Sequence, residues 1–159
     1  MSITSGVGTS GLGRRAALAG TAGAVVAVAL SPKPASASLQ PATQAAIRSA
    51  VGERPMTEGR ITLRVPAIAE NGNTVPLTVL VESPMTAADH VKAVHLFADR
   101  NPTPDIASFR FTPSCGRAEA STRIRLGETQ DVIAVAEMSD GTVFVGRQEV
   151  KVTIGGCGG

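Results

Sequence analysis

Beyond Gly59 the apolar residues fall two apart. Ile61, Leu63 and Val65 alternate with Thr62 and Arg64, and Val75, Leu77, Val79 and Val81 alternate with Pro76 and Thr78 before Glu82. A period of two puts one set of side chains on one face of an extended chain, so each segment reads as a half-buried strand. The cleanest alternation sets Ala118, Ala120, Thr122, Ile124 and Leu126 against Arg117, Glu119, Ser121, Arg123 and Arg125. A slip of one residue there would bury three arginines, which fixes the register of that strand. Further strands are expected over 91–98, 106–111, 132–138 and 142–154, seven in all. Asn71-Gly72-Asn73, Asn101-Pro102-Thr103-Pro104, Gly127 and Asp140-Gly141 punctuate them at spacings too short for crossover helices, so antiparallel pairing is expected, with Asp140-Gly141 as the strongest hairpin signal. Upstream, Ala45, Ala46, Ile47, Ala50 and Val51 share one helical face within 40–51, and Gly52 stops the helix.

These elements predict an all-β fold: an immunoglobulin-like antiparallel β-sandwich of about seven strands, with a short N-terminal helix and a flexible C-terminal arm. The Cys-Trp-Cys core of true immunoglobulin domains is missing, since the chain has no Trp. Ala118, Ala120, Ala134 and Ala136 imply closely packed sheets with limited burial per residue, a surface that a partner subunit could complete.

The first 37 residues read as an address. Arg14-Arg15 precedes an uncharged, Ala-rich stretch from Ala16 to Leu30, followed by Ser31-Pro32-Lys33-Pro34 and the small residues Ala35-Ser36-Ala37. Fifteen residues of helix at ~1.5 Å each span about 22 Å, short of the ~30 Å hydrocarbon core, which favours an export signal over a membrane anchor. The paired arginines resemble a twin-arginine signal, with an ordinary secretory signal as the alternative. Either route leads to the periplasm. Cleavage after Ala37 gives three regions: the leader 1–37, a β-sandwich domain with its helix over 38–154, and an arm over 155–159. The leader holds three of the 15 basic residues and none of the 13 acidic ones, so the remainder is about neutral. Without a basic field, and with four Phe as the only aromatics, a nucleic-acid partner is not expected.

The last strand runs straight into Gly155-Gly156-Cys157-Gly158-Gly159. Glycine loses the most backbone freedom on ordering, so Gly155, Gly156, Gly158 and Gly159 resist becoming helix or strand, and a mobile terminus is expected. Five residues at ~3.5 Å each reach about 17 Å, enough to carry a thiol into a cleft of another protein. No Lys, Arg or His stands beside Cys157 in the tail to lower its pKa, so activation must come from whatever site receives it. The plain alternative is a frayed end with an inert thiol.

The other chemistry-bearing residues are ambiguous. Cys115, in Pro113-Ser114-Cys115-Gly116, reads as a half-buried inert thiol, as a resolving thiol that reversibly traps Cys157, or as an incidental exposed cysteine. His90 and His95 lack the Cys-x-x-Cys spacing of a zinc site, and no Ser or Cys motif beside them suggests a catalytic triad. No intrinsic cofactor or metal is expected. Arg117, Arg123 and Arg125 read as a solvated face or as a partner-docking stripe.

With its Gly155-Gly156-Cys157-Gly158-Gly159 tail, the chain resembles the SoxY family, the sulfur-carrier subunits of bacterial thiosulfate oxidation. Ala69-Glu70-Asn71-Gly72, Ser83-Pro84-Met85-Thr86, Asn101-Pro102, Thr122-Arg123-Ile124-Arg125-Leu126 and Val152-Thr153-Ile154 carry the same resemblance, whereas Cys115 departs from the family pattern. The resemblance implies an immunoglobulin-like sandwich, covalent attachment of sulfur intermediates to Cys157, and pairing with a SoxZ-like β-sandwich subunit. It also implies three enzymes acting in turn on the bound group: a haem cytochrome, a manganese hydrolase and, in some organisms, a molybdenum- and haem-containing sulfane dehydrogenase. Their cofactors would belong to them, and this chain would be a covalent carrier, not an enzyme. Two rival readings remain: a periplasmic binding or structural module with an inert tail, and a carrier that is adenylated at a Gly158-Gly159 terminus to form a thiocarboxylate.

Overall fold

The structure, a computed structural model, describes residues 38–155. The leader and residues 156–159, Cys157 among them, lie outside the described residues.

The described residues form one α-helix, α1 (Pro41–Val51), and nine strands: β1 (Met56–Glu58), β2 (Ile61–Arg64), β3 (Ile68–Asn71), β4 (Val75–Val81), β5 (Val91–Ala98), β6 (Asp105–Arg110), β7 (Ala118–Ile124), β8 (Gln130–Met138) and β9 (Val143–Ile154). The larger sheet runs β1-β9-β8-β5-β6, with β3 also on β9, and the smaller runs β2-β4-β7. Seven of these strands are the ones expected from the sequence. The other two, β1 and β3, are three- and four-residue pieces that pair parallel to opposite ends of β9, so the pairing is not purely antiparallel as expected. Neither piece alternates in polarity: β1 is exposed throughout, and β3 buries only Ala69. Their strand state comes from lying against β9, a tertiary placement that local pattern does not encode.

Two cores explain the strand patterns. Between the sheets, Val75, Leu77, Val79 and Val81 of β4 meet Val94 and Leu96 of β5 and Val132, Ala134, Ala136 and Met138 of β8. On the far side of the larger sheet, Ile47 and Val51 of α1 pack on Phe97, Ile133, Val135, Val143 and Val145. Strand β8 is therefore buried on both faces, which is why Val132–Ala136 is a continuous apolar run with no alternation. The helix buries Thr43, Ile47 and Val51, while Ala45, expected on the same face, is exposed. A four-residue step holds position on a 3.6-residue turn, and Ala45 lies two residues off that line. In β7 the expected alternation holds: Ala118 and Ile124 are buried and Ser121 and Arg123 exposed.

Strands β8 and β9 close through Asp140-Gly141. The Asp140 carboxylate accepts the Thr142 backbone N–H at 2.9 Å and its hydroxyl at 2.7 Å, and Gly141 takes φ +88°, a left-handed conformation that side chains disfavour. Those two Thr142 bonds hold the Asp140 carboxyl below its usual range.

Candidate functional site

The far end of β9 delivers the chain to the glycine-cysteine tail, and it is fastened on three sides. The Val152 N–H donates to Thr129 Oγ1 at 3.0 Å. The Ile154 carbonyl accepts the Gly72 N–H at 2.7 Å, while the Gly72 carbonyl accepts the Leu126 N–H at 2.8 Å. Gly155 then lies against Gly127: a Cβ built on Gly155 would stand 2.1 Å from the Gly127 carbonyl oxygen and 3.3 Å from its carbon. No residue with a side chain fits that position without moving backbone.

Gly127 is itself held. Asn101 Oδ1 accepts the Gly127 N–H at 3.0 Å and Gln130 Nε2 at 2.9 Å, and Asn101 Nδ2 donates to the Arg125 carbonyl at 2.8 Å. Gln130 Oε1 accepts the Arg100 N–H at 2.7 Å, and its Nε2 also donates to the Glu128 carbonyl at 3.1 Å. Gln130 is 3% exposed, so its amide is removed from water and replaces every lost bond from within this network. Asn101 belongs to a loop that the sequence marks, whereas Gln130 belongs to no motif. The signal for Gln130 was parity: it shares the inward phase of Val132, Ala134 and Ala136, and a polar residue at a core position needs partners.

Cys115 sits in a 3-10 turn, Pro113–Cys115, between β6 and β7, and it is exposed, which overturns its reading as a half-buried inert thiol. Its sulfur lies 3.5 Å from the Thr112 N–H and 3.7 Å from the Thr112 hydroxyl, and these bonds, the backbone one foremost, draw its pKa below the ordinary thiol value. Its relation to Cys157 falls outside the described residues.

The histidines part company. His90 Nδ1 lies 3.1 Å from the Thr86 carbonyl in a loop. His95, on β5, lies between two neighbouring strands, its Nδ1 2.8 Å from Ser108 Oγ on β6 and its Nε2 3.2 Å from Glu137 Oε1 on β8. Arg54 donates to the other Glu137 oxygen, to the Val51 carbonyl at 2.6 Å and to the Gly141 carbonyl at 3.4 Å. Burial alone would raise the Glu137 carboxyl, but hydrogen bonds from Arg54 and His95 outweigh it and hold the group below its usual range. A serine does therefore face His95, contrary to expectation, in the connectivity of nucleophile, base and carboxylate. These bonds hold the His95 ring between Ser108 on the edge strand β6 and Glu137 on β8. Among the described residues no three His, Cys, Asp or Glu side chains converge as metal ligands. Arg123 is exposed, and Arg117 pairs with Glu119 at 3.1 Å.

The family model for the sulfur oxidation protein SoxY matches residues 47–157, from within α1 through the β-sandwich and up to Cys157. The chain belongs to the SoxY family. A solved SoxY, the sulfur carrier protein from Chlorobium limicola f thiosulfatophilum, is 33% identical, with a TM-score of 0.60 over 70% of this chain and 96% of that one. A superoxide reductase (neelaredoxin) from Ignicoccus hospitalis is 16% identical, with a TM-score of 0.53 over 60% of this chain and 81% of that one; it shares the fold alone. No curated protein matches the chain. Within the SoxY match, the fastened end of β9 is the part of the described structure nearest in sequence to the cysteine.

Proposed function

We propose that this SoxY-family chain is a periplasmic sulfur carrier that holds its cargo covalently on Cys157. The observation that carries the reading is the SoxY match reaching Cys157, immediately after a strand end that the fold fastens from three sides. A SoxZ-like subunit pairs with the chain, and the leader with Arg14-Arg15 directs it out of the cytoplasm. A haem cytochrome joins the Cys157 thiolate to the sulfane sulfur of thiosulfate, forming one S–S bond and taking up two electrons. A manganese hydrolase adds water to the terminal sulfonate, releasing sulfate and two protons and leaving a persulfide on Cys157. A sulfane dehydrogenase, where present, oxidises that outer sulfur. The attached sulfonate is anionic, so the clefts that receive it are expected to be basic.

Intact mass of the carrier after brief exposure to thiosulfate and the partner cytochrome tests this. The expected result is an adduct of one thiosulfate on Cys157 that a thiol reductant removes, with none formed by Cys157→Ser. Sulfur found on the Gly159 carboxylate, or unchanged thiosulfate turnover in Cys157→Ser, overturns it.

A further inference from the structure

Flexibility explains why glycines would surround a travelling thiol, but it does not explain Gly155. That residue meets the Gly127 carbonyl so closely that a Cβ would stand 2.1 Å from the oxygen, well inside any tolerated contact. The obstruction is backbone, which cannot swing aside as a flexible side chain could. Gly127 is pinned in turn by Asn101, and Asn101 by the buried Gln130. On the other flank the Gly72 N–H fixes the Ile154 carbonyl at 2.7 Å.

We infer that Gly155 is the pivot of the carrier arm, a positioning residue that sets the point and direction from which Cys157 is presented, with Asn101 and Gln130 holding the Gly127 wall behind it. The inference rests on the carrier reading and sharpens it. Cys157 is two residues beyond Gly155, and two trans Cα steps of ~3.8 Å cannot carry its Cα more than about 7.6 Å from the pivot. With a side chain of roughly 3 Å, the thiol works within about 10 Å of Gly155, one residue's reach (~3.5 Å) less than an arm free from Ile154 onward would allow. An enzyme that takes the cargo must therefore seat itself on this end of the sandwich, beside Asn73 and Glu128.

The test uses the carrier assembled with its partner subunit. It measures thiosulfate-dependent loading by the haem cytochrome, with KM for the carrier and kcat determined separately, and it titrates the free thiol with a small aromatic disulfide reagent. Gly155→Ala is expected to lower loading kcat/KM at least tenfold while changing the small-reagent rate less than twofold, because the thiol stays free but leaves in the wrong direction. Gly156→Ala is expected to stay within threefold of wild type. Inserting one extra glycine after position 155 in the Ala variant restores the number of glycines and is expected not to restore loading. Asn101→Ser, which loosens the wall without adding an atom to the arm, is expected to lower loading about threefold with the small-reagent rate unchanged; this variant decides the matter if Gly155→Ala does not fold. Wild-type loading in Gly155→Ala, equal losses at 155 and 156, or rescue by the inserted glycine overturns the pivot. Cys157→Ser that still loads sinks the carrier reading itself, an outcome separate from any of these.

Discussion

Two polar networks stand at opposite ends of β8, and they are built from different chemistry. At the start of the strand, Gln130 and Asn101 join amide to amide and amide to backbone, with no charged side chain in the chain of bonds. Near its finish, seven residues on and about 23 Å away at ~3.3 Å per residue, Glu137 ties together Arg54 and His95. Amides do not titrate, and carboxylates and imidazoles do. The amide network at the end that sets the tail thus makes its bonds without a titrating side chain, while the network at the opposite end hangs on a carboxylate whose contribution acidity removes.

The comparison is most sharply tested at Gln130. Gln130→Ala removes a buried amide that ties the Arg100 N–H to Asn101 Oδ1 and the Glu128 carbonyl, and is expected to cost about 2–4 kcal/mol, equally at pH 5 and pH 8, as urea denaturation at the two values would show. A loss that varied with pH would break the distinction. Glu137→Ala is expected to cost about 1–3 kcal/mol near neutrality, and here pH must matter. The folded-state pKa of Glu137 lies below its ordinary value of 4.5, so its contribution is fully present above that value and is lost as pH falls through the lower folded one. The gap between wild type and variant should therefore narrow as the solution is acidified below pH 4.5, and a gap that does not narrow would place the stabilisation elsewhere.

Smaller effects refine the picture at the two ends of β9. Thr129→Val removes the acceptor of the Val152 N–H and is expected to cost about 1 kcal/mol, with faster amide exchange at Val152 than at Val150. Asp140→Ala, which loses both Thr142 bonds at the hairpin, should lower the melting temperature slightly, and that loss should shrink on acidification in the same sense as for Glu137, because Asp140 is also held below its ordinary value. The least effect on stability is expected at Thr112→Val, which should leave the melting temperature nearly unchanged while slowing alkylation of Cys115 at pH 7 by roughly twofold.

Much of the architecture was legible because each strand with one buried face writes that face into alternate residues. Val75–Val81 and Ala118–Ile124 could be read without a structure, and the Asp140-Gly141 turn carried its own chemistry. What stayed hidden depended on neighbours. Strands β1 and β3 exist because β9 lies beside them, and the double burial of β8 depends on α1 covering its second face. His95 gained its serine through the pairing of β5 with β6, where His95 faces Ser108, a register that neither strand states alone. Cys115 looked half-buried by its place after an apolar strand, yet Pro113 turns the chain outward before reaching it. The tail announced a thiol and a family, but the reason for its first glycine lay in a carbonyl 28 residues earlier.

A short radius has a kinetic meaning. If the sulfur can travel only some ten ångströms, the carrier cannot serve two visitors together; each must vacate the same small berth before the next arrives. The order of the chemical steps would then be kept by what is bound to the sulfur at that moment, since that is the one thing about the berth that changes between visits, and the close fit of Gly155 to Gly127 would turn a set of separate reactions into a queue.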